Sequence, residues 1–216
     1  LDVKNLKFEK KYYRNELNVK ENFVCNSFEV LKKELNECSE CELHLSVKNK
    51  VLGLGDKEAN LMLIGEAPGE NEDLKGMPFV GRAGEKLTKM LDYIGLSRDE
   101  VYITNIVKCR PPKNADPVNE WITKCRRFLD MEIELVKPKY ILTLGRFAAR
   151  VLLKMDLKMN EFSGNFYKME NGIIIVPTYH PSALLLQKGE RLQHIREHVA
   201  NDLKLLKKIM NGENNG

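Results

Sequence analysis

The segment ANLMLIGEAPGENED, residues 59–73, joins an apolar run to a glycine-rich acidic run. Residues 59–65 have the length and apolar content of a buried β-strand. From Gly65 onward, glycines and a proline predict a tight loop that a ligand can approach closely. A Walker phosphate-binding loop would end in Lys-Ser or Lys-Thr, and this loop does not. A strand that runs into a tight loop is still typical of α/β proteins, in which ligands bind beyond the carboxyl ends of the strands.

The rest of the chain continues this alternation of apolar runs and helical patterns. Three more apolar runs predict strands at 101–107, 140–145 and 172–181. Apolar residues at helical spacing predict helices at 83–95, 117–136, 146–155 and about 189–210. Strands that alternate with helices form a parallel sheet covered on both faces, so the sequence predicts the α/β class.

Composition predicts one domain with a charged N-terminal segment and a polar C-terminal one. We expect the domain at 28–210, a charged extension at 1–27 and a disordered tail at 211–216. No apolar run reaches the length of a membrane span, and the N-terminal residues have no signal-peptide core, so we expect a cytoplasmic protein. The net charge of +4 is compatible with nucleic acid, although a solvated lysine-rich surface explains it better.

The chain has five cysteines, an odd number that argues against a simple disulfide framework. Cys38-x-x-Cys41 alone fits a redox dithiol, half of a metal site or chance. Cys109 and Cys125 complete a set of four thiols, which suits zinc or an iron–sulfur cluster. Zinc sites usually use two closely spaced pairs, whereas fifteen residues separate Cys109 from Cys125. This spacing favours a cluster.

Two predicted strands end beside polar side chains that suit base recognition or catalysis. Asn105 lies in TNIVKCRPP, and its amide offers the donor and the acceptor that reading a nucleobase edge requires. His180 follows the strand that ends in TYHP, and histidine is the commonest acid–base residue. Taken singly, each is better explained as structural, the asparagine as a turn or cap and the histidine as a loop residue.

Taken together, these features resemble the family 4 uracil-DNA glycosylases. The resemblance covers residues from about 35 to 210 and rests on GEAPGENED, PFVGRAG, ITNIVKCRPP, HPSALL and the four cysteines in order. It implies a three-layer α/β/α sandwich with a central parallel four-stranded sheet. It also implies hydrolysis of the N-glycosidic bond of deoxyuridine in DNA, the start of base excision repair. The cofactor it implies is a [4Fe–4S] cluster on Cys38, Cys41, Cys109 and Cys125.

Two positions lie outside this pattern. Cys25 is not part of the implied ligand set. Ala115 stands where family members often carry arginine, so a phosphate contact or an ion pair is expected to be missing there.

The resemblance implies a pocket for a uracil flipped out of the DNA helix. Phe79 would supply an aromatic face for the base. Asn105 would donate to uracil O4 and accept from N3–H. Backbone groups of the loop after the first strand would contact the base or a neighbouring phosphate, and this loop contributes Gly65, Glu66, Ala67 and Gly69.

The resemblance also implies how the bond is broken. Cleavage leaves negative charge on uracil O2, and His180 would hydrogen-bond this developing anion. Leu184, in HPSALL, would enter the gap that the flipped nucleotide leaves in the duplex.

The residue that activates water is less directly indicated. Related glycosylases of another family have an aspartate at the position of Ala67. This chain must use Glu66, Glu72 or Asp73, or weaker activation, and resemblance to family 4 favours Glu72. A dissociative transition state needs little help from a base.

Two other functions stay open at this stage. A non-catalytic iron–sulfur DNA-binding or polymerase-associated protein could share the fold, and a zinc-stabilised binding module could share the cysteines. We expect uracil-containing DNA as the substrate, a monomer, no membrane association, and a cluster that is structural. A sliding clamp or another repair protein is a partner that the sequence neither indicates nor excludes.

Overall fold

The computed structural model describes residues 4–5 and 27–212. Within them the strands are β1 Lys4–Asn5, β2 Leu54–Gly55, β3 Leu61–Gly65, β4 Tyr102–Asn105, β5 Tyr140–Leu144, β6 Tyr167–Lys168 and β7 Ile174–Thr178. The α-helices are α1 Phe28–Glu37, α2 Glu70–Lys75, α3 Arg82–Ile94, α4 Asn119–Val136, α5 Arg146–Leu153, α6 Met159–Phe162, α7 Ala183–Leu186 and α8 Gly189–Met210. Short 3₁₀ turns occupy Glu42–Leu45, Arg98–Glu100 and Pro112–Asn114.

The described strands form one sheet in the order β1-β6-β7-β5-β3-β4-β2. Its four central strands, β7, β5, β3 and β4, run parallel. The predicted central parallel four-stranded sheet is therefore confirmed. Two-residue strands extend it at both edges: β2 is antiparallel to β4, β6 is antiparallel to β7, and β1 is parallel to β6. These short strands were not predicted, because two residues are too few to show a periodic pattern.

Alternate residues of the central strands pack on opposite faces of the sheet. In β3, Leu61 and Leu63 belong to the apolar cluster that includes α3 and α8. Met62 and Ile64 belong to the cluster that includes α1, α4, α5 and α6. Both faces are thus buried, which explains why the strands are continuous apolar runs in the sequence. The arrangement is the expected three-layer α/β/α sandwich.

Two helices differ from their predicted positions. The helix expected over 117–136 begins at Asn119, so Pro117 precedes it. Residues 70–75, expected to be part of a loop, form the short helix α2. Its first turn contains three acidic residues, which the positive end of the helix dipole favours. Six residues are too few for this helix to show a period in the sequence.

The terminal segments are only partly covered by the structure. The predicted extension is described at 4–5 and at 27, and the predicted tail at 211–212. The predictions for both segments, and the one for Cys25, otherwise fall outside the described residues. Among the helices that are described, none combines the length and apolar content needed to cross a membrane.

The register of the sheet places the ends of β3 and β4 side by side. Gly65, the last residue of β3, pairs with Asn105, the last residue of β4. The pairing continues beyond the strands, because the N–H of Ile106 donates to the Gly65 carbonyl at 2.9 Å and the N–H of Val107 donates to the Glu66 carbonyl at 3.0 Å. The loops that carry the predicted site residues therefore start from one edge of the sheet.

Candidate active site

A pocket of about 480 Å³ opens at this edge of the sheet. Seven of the predicted site residues line it, namely Glu66, Ala67, Gly69, Glu72, Phe79, Asn105 and His180. Eight further residues complete the lining, namely Pro68, Ala83, Pro111, Asn114, Ala115, Asp116, Ser182 and Leu186. The volume lies within the roughly 300–1,000 Å³ that small-molecule sites occupy. The structure thus brings together residues from the segments that follow three different strands.

Asn105 places a polar amide deep in this pocket. The residue is 2% exposed. Its Oδ1 atom is buried and has no hydrogen-bond partner among the described residues. A buried acceptor without a partner costs about 1–3 kcal/mol, so proteins contain few of them. Because Asn105 lines a pocket, this acceptor suits a ligand that donates a hydrogen bond.

Two glycines allow Phe79 and Asn105 to share the pocket wall. A Cβ atom on Gly65 would lie 2.4 Å from Asn105 Oδ1 and 2.6 Å from Cζ of Phe79. A Cβ atom on Gly84 would lie 1.8 Å from the carbonyl oxygen of Phe79. Phe79 itself has a φ of 52°, a backbone conformation that costs a non-glycine residue roughly 1–3 kcal/mol. Such strain is found where a side chain must point in a set direction.

The His180 ring lies beside Phe79, with ring centroids 5.8 Å apart. The backbone N–H of Ser182 donates to His180 Nδ1 at 3.2 Å, and Ser182 Oγ lies 2.7 Å from the same atom. Because Nδ1 accepts, the proton of the neutral ring lies on Nε2. Burial lowers the pKa of His180 to about 4, although the Glu72 carboxylate acts in the opposite direction. The ring is therefore a neutral Nε2–H donor at physiological pH.

Glu66 is a pocket carboxyl group that titrates near neutrality. Burial raises its pKa to about 7; the Asp116 carboxylate raises the pKa further, and the Arg146 guanidinium lowers it. Asp116 lines the same pocket and was not predicted. The sequence offered no signal for it beyond its place in the loop that follows β4. A carboxyl group with this pKa can accept a proton from water near pH 7.

Glu72 instead binds the backbone around the pocket. Its Oε2 accepts from the N–H of Gly69 at 3.1 Å, and its Oε1 accepts from the N–H groups of Val80 and Gly81 at 2.8 and 2.9 Å. These bonds join the start of α2 to the segment that follows Phe79. The geometry gives Glu72 a role in shaping the pocket, whereas the resemblance to family 4 favoured it as the water-activating residue.

Asp73, the third carboxyl group considered for water activation, lies outside the pocket lining. It is 5% exposed. Its Oδ1 accepts from the N–H groups of Lys48 and Asn49 at 2.8 and 3.1 Å. Asp73 therefore holds residues 48–49 against α2.

The leucines of α7 have different environments. Leu184, expected to enter the DNA gap, is half-buried against the apolar cluster that includes α3 and α8 and does not line the pocket. Leu186 is 74% exposed and lines the pocket. These positions do not test the prediction for Leu184. They make Leu186 a second candidate for the same role.

Four cysteines line a second, small cavity next to the pocket loops. Cys38 and Cys41 come from the turn after α1, Cys109 from the segment after β4, and Cys125 from α4. All four are free thiols. Burial raises the pKa of Cys109 to about 12, and the neighbouring cysteines add to the effect. Among the described residues, no group of three or more His, Cys, Asp or Glu side chains is arranged to hold a metal ion.

Comparisons with known proteins show which family this sequence matches. The profile of the Uracil DNA glycosylase superfamily matches residues 52–204. A type-4 uracil-DNA glycosylase of Archaeoglobus fulgidus is 41% identical over 185 residues, or 82% of this chain and 90% of that protein. Those of Sulfurisphaera tokodaii and Saccharolobus solfataricus are each 40% identical, over 85% and 87% of this chain and 85% and 88% of their own lengths. The matched range contains every pocket-lining residue, whereas Cys38 and Cys41 precede it.

Proposed function

Because the chain belongs to the Uracil DNA glycosylase superfamily, we propose that its pocket binds deoxyuridine flipped out of DNA and that the enzyme hydrolyses the N-glycosidic bond. The observation that carries this proposal is the buried, unpartnered Oδ1 of Asn105 in a pocket beside an aromatic ring and a neutral histidine. Uracil presents the matching groups, a donor at N3 and an acceptor at O4. The product would be an abasic site, which starts base excision repair.

Asn105 and Phe79 would recognise the base. Oδ1 of Asn105 would accept from uracil N3–H, and the amide NH₂ would donate to O4. Cytosine reverses both groups, so each would meet a like group in a buried site, at about 1–3 kcal/mol apiece. The ring of Phe79 would pack on the face of the base, in a place next to Gly65 where a Cβ atom would lie 2.6 Å from Cζ of the ring. Backbone groups of the segment from Gly65 to Gly69 would bind the base or a neighbouring phosphate.

His180 would stabilise the leaving group. As the C1′–N1 bond breaks, its electron pair moves onto the uracil ring, largely to O2, and the sugar becomes an oxocarbenium ion. The neutral Nε2–H of His180 would donate a hydrogen bond to O2 without transferring its proton. A preorganised donor of this kind contributes roughly 10²–10³ to the rate.

Glu66 would activate the water that completes the reaction. Its ionised carboxylate would accept one proton of the water while the oxygen forms the new bond to C1′. The departing uracil takes up a proton afterwards. We assign this step to Glu66 rather than Glu72, because the Glu72 oxygens already accept three backbone hydrogen bonds.

Cys38, Cys41, Cys109 and Cys125 would hold a [4Fe–4S] cluster. The donor set fits, because four free thiols line one cavity. A bound cluster would supply four sulfur–iron bonds that tie the turn after α1 to the segment after β4 and to α4. Hydrolysis is not a redox reaction, so we assign the cluster a structural role.

Further parts of the proposal concern the residue that enters the DNA, the oligomeric state, the cellular location and protein partners. Leu184 would enter the duplex gap, with Leu186 as the alternative from the same short helix. We propose a monomeric enzyme that acts inside the cell, where genomic DNA is its substrate. A sliding clamp or other repair protein stays a prediction.

A cleavage assay on DNA with a single deoxyuridine tests the proposed function. The iron-loaded protein should produce alkali-labile breaks at dU, and none in a matched duplex with thymidine. A non-catalytic member of the fold would bind the DNA and leave it intact. Absence of breaks with a protein that carries its iron and binds the duplex would refute the proposal.

A further inference from the structure

A buried ion pair lies directly behind the pocket, outside the residues that would touch the substrate. Lys108 and Glu132 are both fully buried, and Lys108 Nζ lies 2.5 Å from Glu132 Oε2. Twenty-four positions separate them in the sequence, with Lys108 just after β4 and Glu132 in α4. Completely buried charges are rare in proteins unless they are paired and hydrogen-bonded.

Every proton of the Lys108 ammonium has an acceptor. Besides Glu132, Nζ donates to Thr104 Oγ1 at 2.7 Å and to the backbone carbonyl of Asn105 at 2.7 Å. The bond to Asn105 fixes the peptide group that directly follows the base-reading residue. Lys108 thus binds the carbonyl group of a residue whose side chain lines the pocket.

The other end of Lys108 contacts the cysteine cavity. Its backbone N–H donates to Cys125 Sγ at 3.2 Å, and its carbonyl accepts from the N–H of Val51 at 2.7 Å. One residue thus connects a thiol of the cavity to the backbone of Asn105. The cysteine cavity and the pocket share this connection through Lys108.

Glu132 is itself held from several directions. Its Oε1 accepts from the N–H of Gly53 at 2.7 Å and from the hydroxyl of Tyr102 at 3.2 Å, and both carboxylate oxygens accept from Thr104 Oγ1, at 3.1 and 2.9 Å. The carboxylate therefore cannot move to follow a displaced lysine without breaking these bonds. It acts as a fixed anchor for Lys108.

We propose that Lys108, anchored by Glu132, is a positioning residue that holds Asn105 in place for uracil recognition. This inference rests on the proposed function. An ordinary structural ion pair would contribute only to folding. A positioning residue must in addition change uracil excision, and the choice between uracil and cytosine, in molecules that are folded and loaded with iron.

The test compares two variants. Removal of Lys108 alone would leave Glu132 buried without its partner and could prevent folding, so the variant is Lys108→Met combined with Glu132→Gln. The glutamine oxygen can still accept from Gly53 and Tyr102. Tyr102→Phe is the control, because it removes the bond from the Tyr102 hydroxyl to Glu132 Oε1 and keeps both the ion pair and the lysine bond to the Asn105 carbonyl.

Single-turnover excision of dU and of dC is measured per iron-loaded molecule, with thermal unfolding recorded for each variant. We expect the double variant to excise uracil about 10²-fold more slowly than the wild type, the loss that about 1 Å of misplacement can cause. Its preference for uracil over cytosine should also shrink. Tyr102→Phe should unfold at a lower temperature than the wild type and still excise uracil within a few-fold of its rate.

Three outcomes would overturn the inference: a double variant with the wild-type rate and preference, equal slowing of both variants, or a loss that only follows lost iron. An inactive wild type would instead refute the proposed function, so the two failures are distinguishable.

Discussion

Replacement of Asn105 by aspartate makes a sharp test of base reading, because the carboxyl group can exist in two forms that read different bases. Ionised aspartate offers only acceptors, so uracil O4 would face a negative oxygen in a position that is 2% exposed. The lost donor costs about 1–3 kcal/mol, and the charge adds to this cost, so uracil excision should fall by at least roughly 5- to 150-fold. The ionised form can accept from cytosine N4–H₂, so slow excision of cytosine should appear if the site can accommodate cytosine N3, which is an acceptor like the carboxylate oxygen.

Protonated aspartate should behave differently. Its O–H can donate to O4 while its carbonyl oxygen accepts from N3–H, which restores the pattern of the amide. Burial in the pocket, together with the carboxyl groups of Glu66 and Glu72, should raise the pKa of this aspartate by up to roughly 3–5 units. The rate of uracil excision by Asn105→Asp, divided by the wild-type rate at the same pH, should therefore be greatest at low pH and fall as pH rises through the raised pKa.

The assay is single-turnover excision on matched duplexes with one dU or one dC opposite G, between about pH 5 and pH 8.5. Asn114→Asp is the matched control, since Asn114 lines the mouth of the same pocket and its side-chain oxygen accepts from Arg110 Nε at 2.7 Å, a bond that aspartate preserves. The control should keep the wild-type rate and profile. If Asn105→Asp excises uracil as fast as the wild type at every pH, Asn105 does not read the base.

Four further predictions concern the remaining groups. His180→Ala should slow single-turnover cleavage by about 10²–10³-fold with little change in DNA affinity, which binding of a non-cleavable dU duplex checks. The wild-type rate should rise with pH through about 7 as Glu66 ionises, and Glu66→Gln should lower the rate and remove this rise; a Glu66→Gln profile that still rises would assign the base elsewhere. Cys109→Ser should lose iron and visible absorbance, and an unchanged iron content would exclude it as a ligand. If Leu184 or Leu186 enters the duplex gap, its replacement by alanine should slow excision on duplex DNA and leave the rate on single-stranded DNA unchanged. A variant that keeps the wild-type rate on both substrates would exclude that leucine from the role.

The central fold could be predicted from the sequence because its strands are buried on both faces. Such strands are continuous apolar runs, and the predicted runs 140–145 and 172–181 contain the observed β5 and β7. The edge strands β2 and β6 could not be predicted in this way, since each is formed by two residues whose pairing depends on the neighbouring strand. The short helix α2 was missed for a related reason. It is stabilised by the hydrogen bond from the Gly69 N–H to the Glu72 carboxylate rather than by an apolar face.

The sequence predicted which residues meet in the pocket better than it predicted the role of each residue. Glu66 and Glu72 stand in one motif, and only the backbone path shows that Glu72 is occupied by three N–H groups while Glu66 faces the pocket with a raised pKa. The tautomer of His180 likewise depends on the N–H of Ser182, two residues later. Any residue except proline supplies such an N–H, so the identity of residue 182 did not indicate the tautomer.

Lys108 and Glu132 show where sequence reasoning could have gone further. Glu132 lies on the buried stripe of α4, which also contains Cys125, Phe128 and Val136 at helical spacing. Lys108 follows Ile106 and Val107, two buried apolar residues directly after β4. A charged residue is unexpected in either pattern. A buried lysine and a buried glutamate are expected to pair with each other, because burial of either charge alone costs several kcal/mol. The sequence could not predict that Lys108 also bonds to the backbone carbonyl of Asn105. The same ammonium bonds to the Asn105 carbonyl and to Glu132 on α4, and these two bonds place the ion pair at the end of β4, next to the proposed site of reaction.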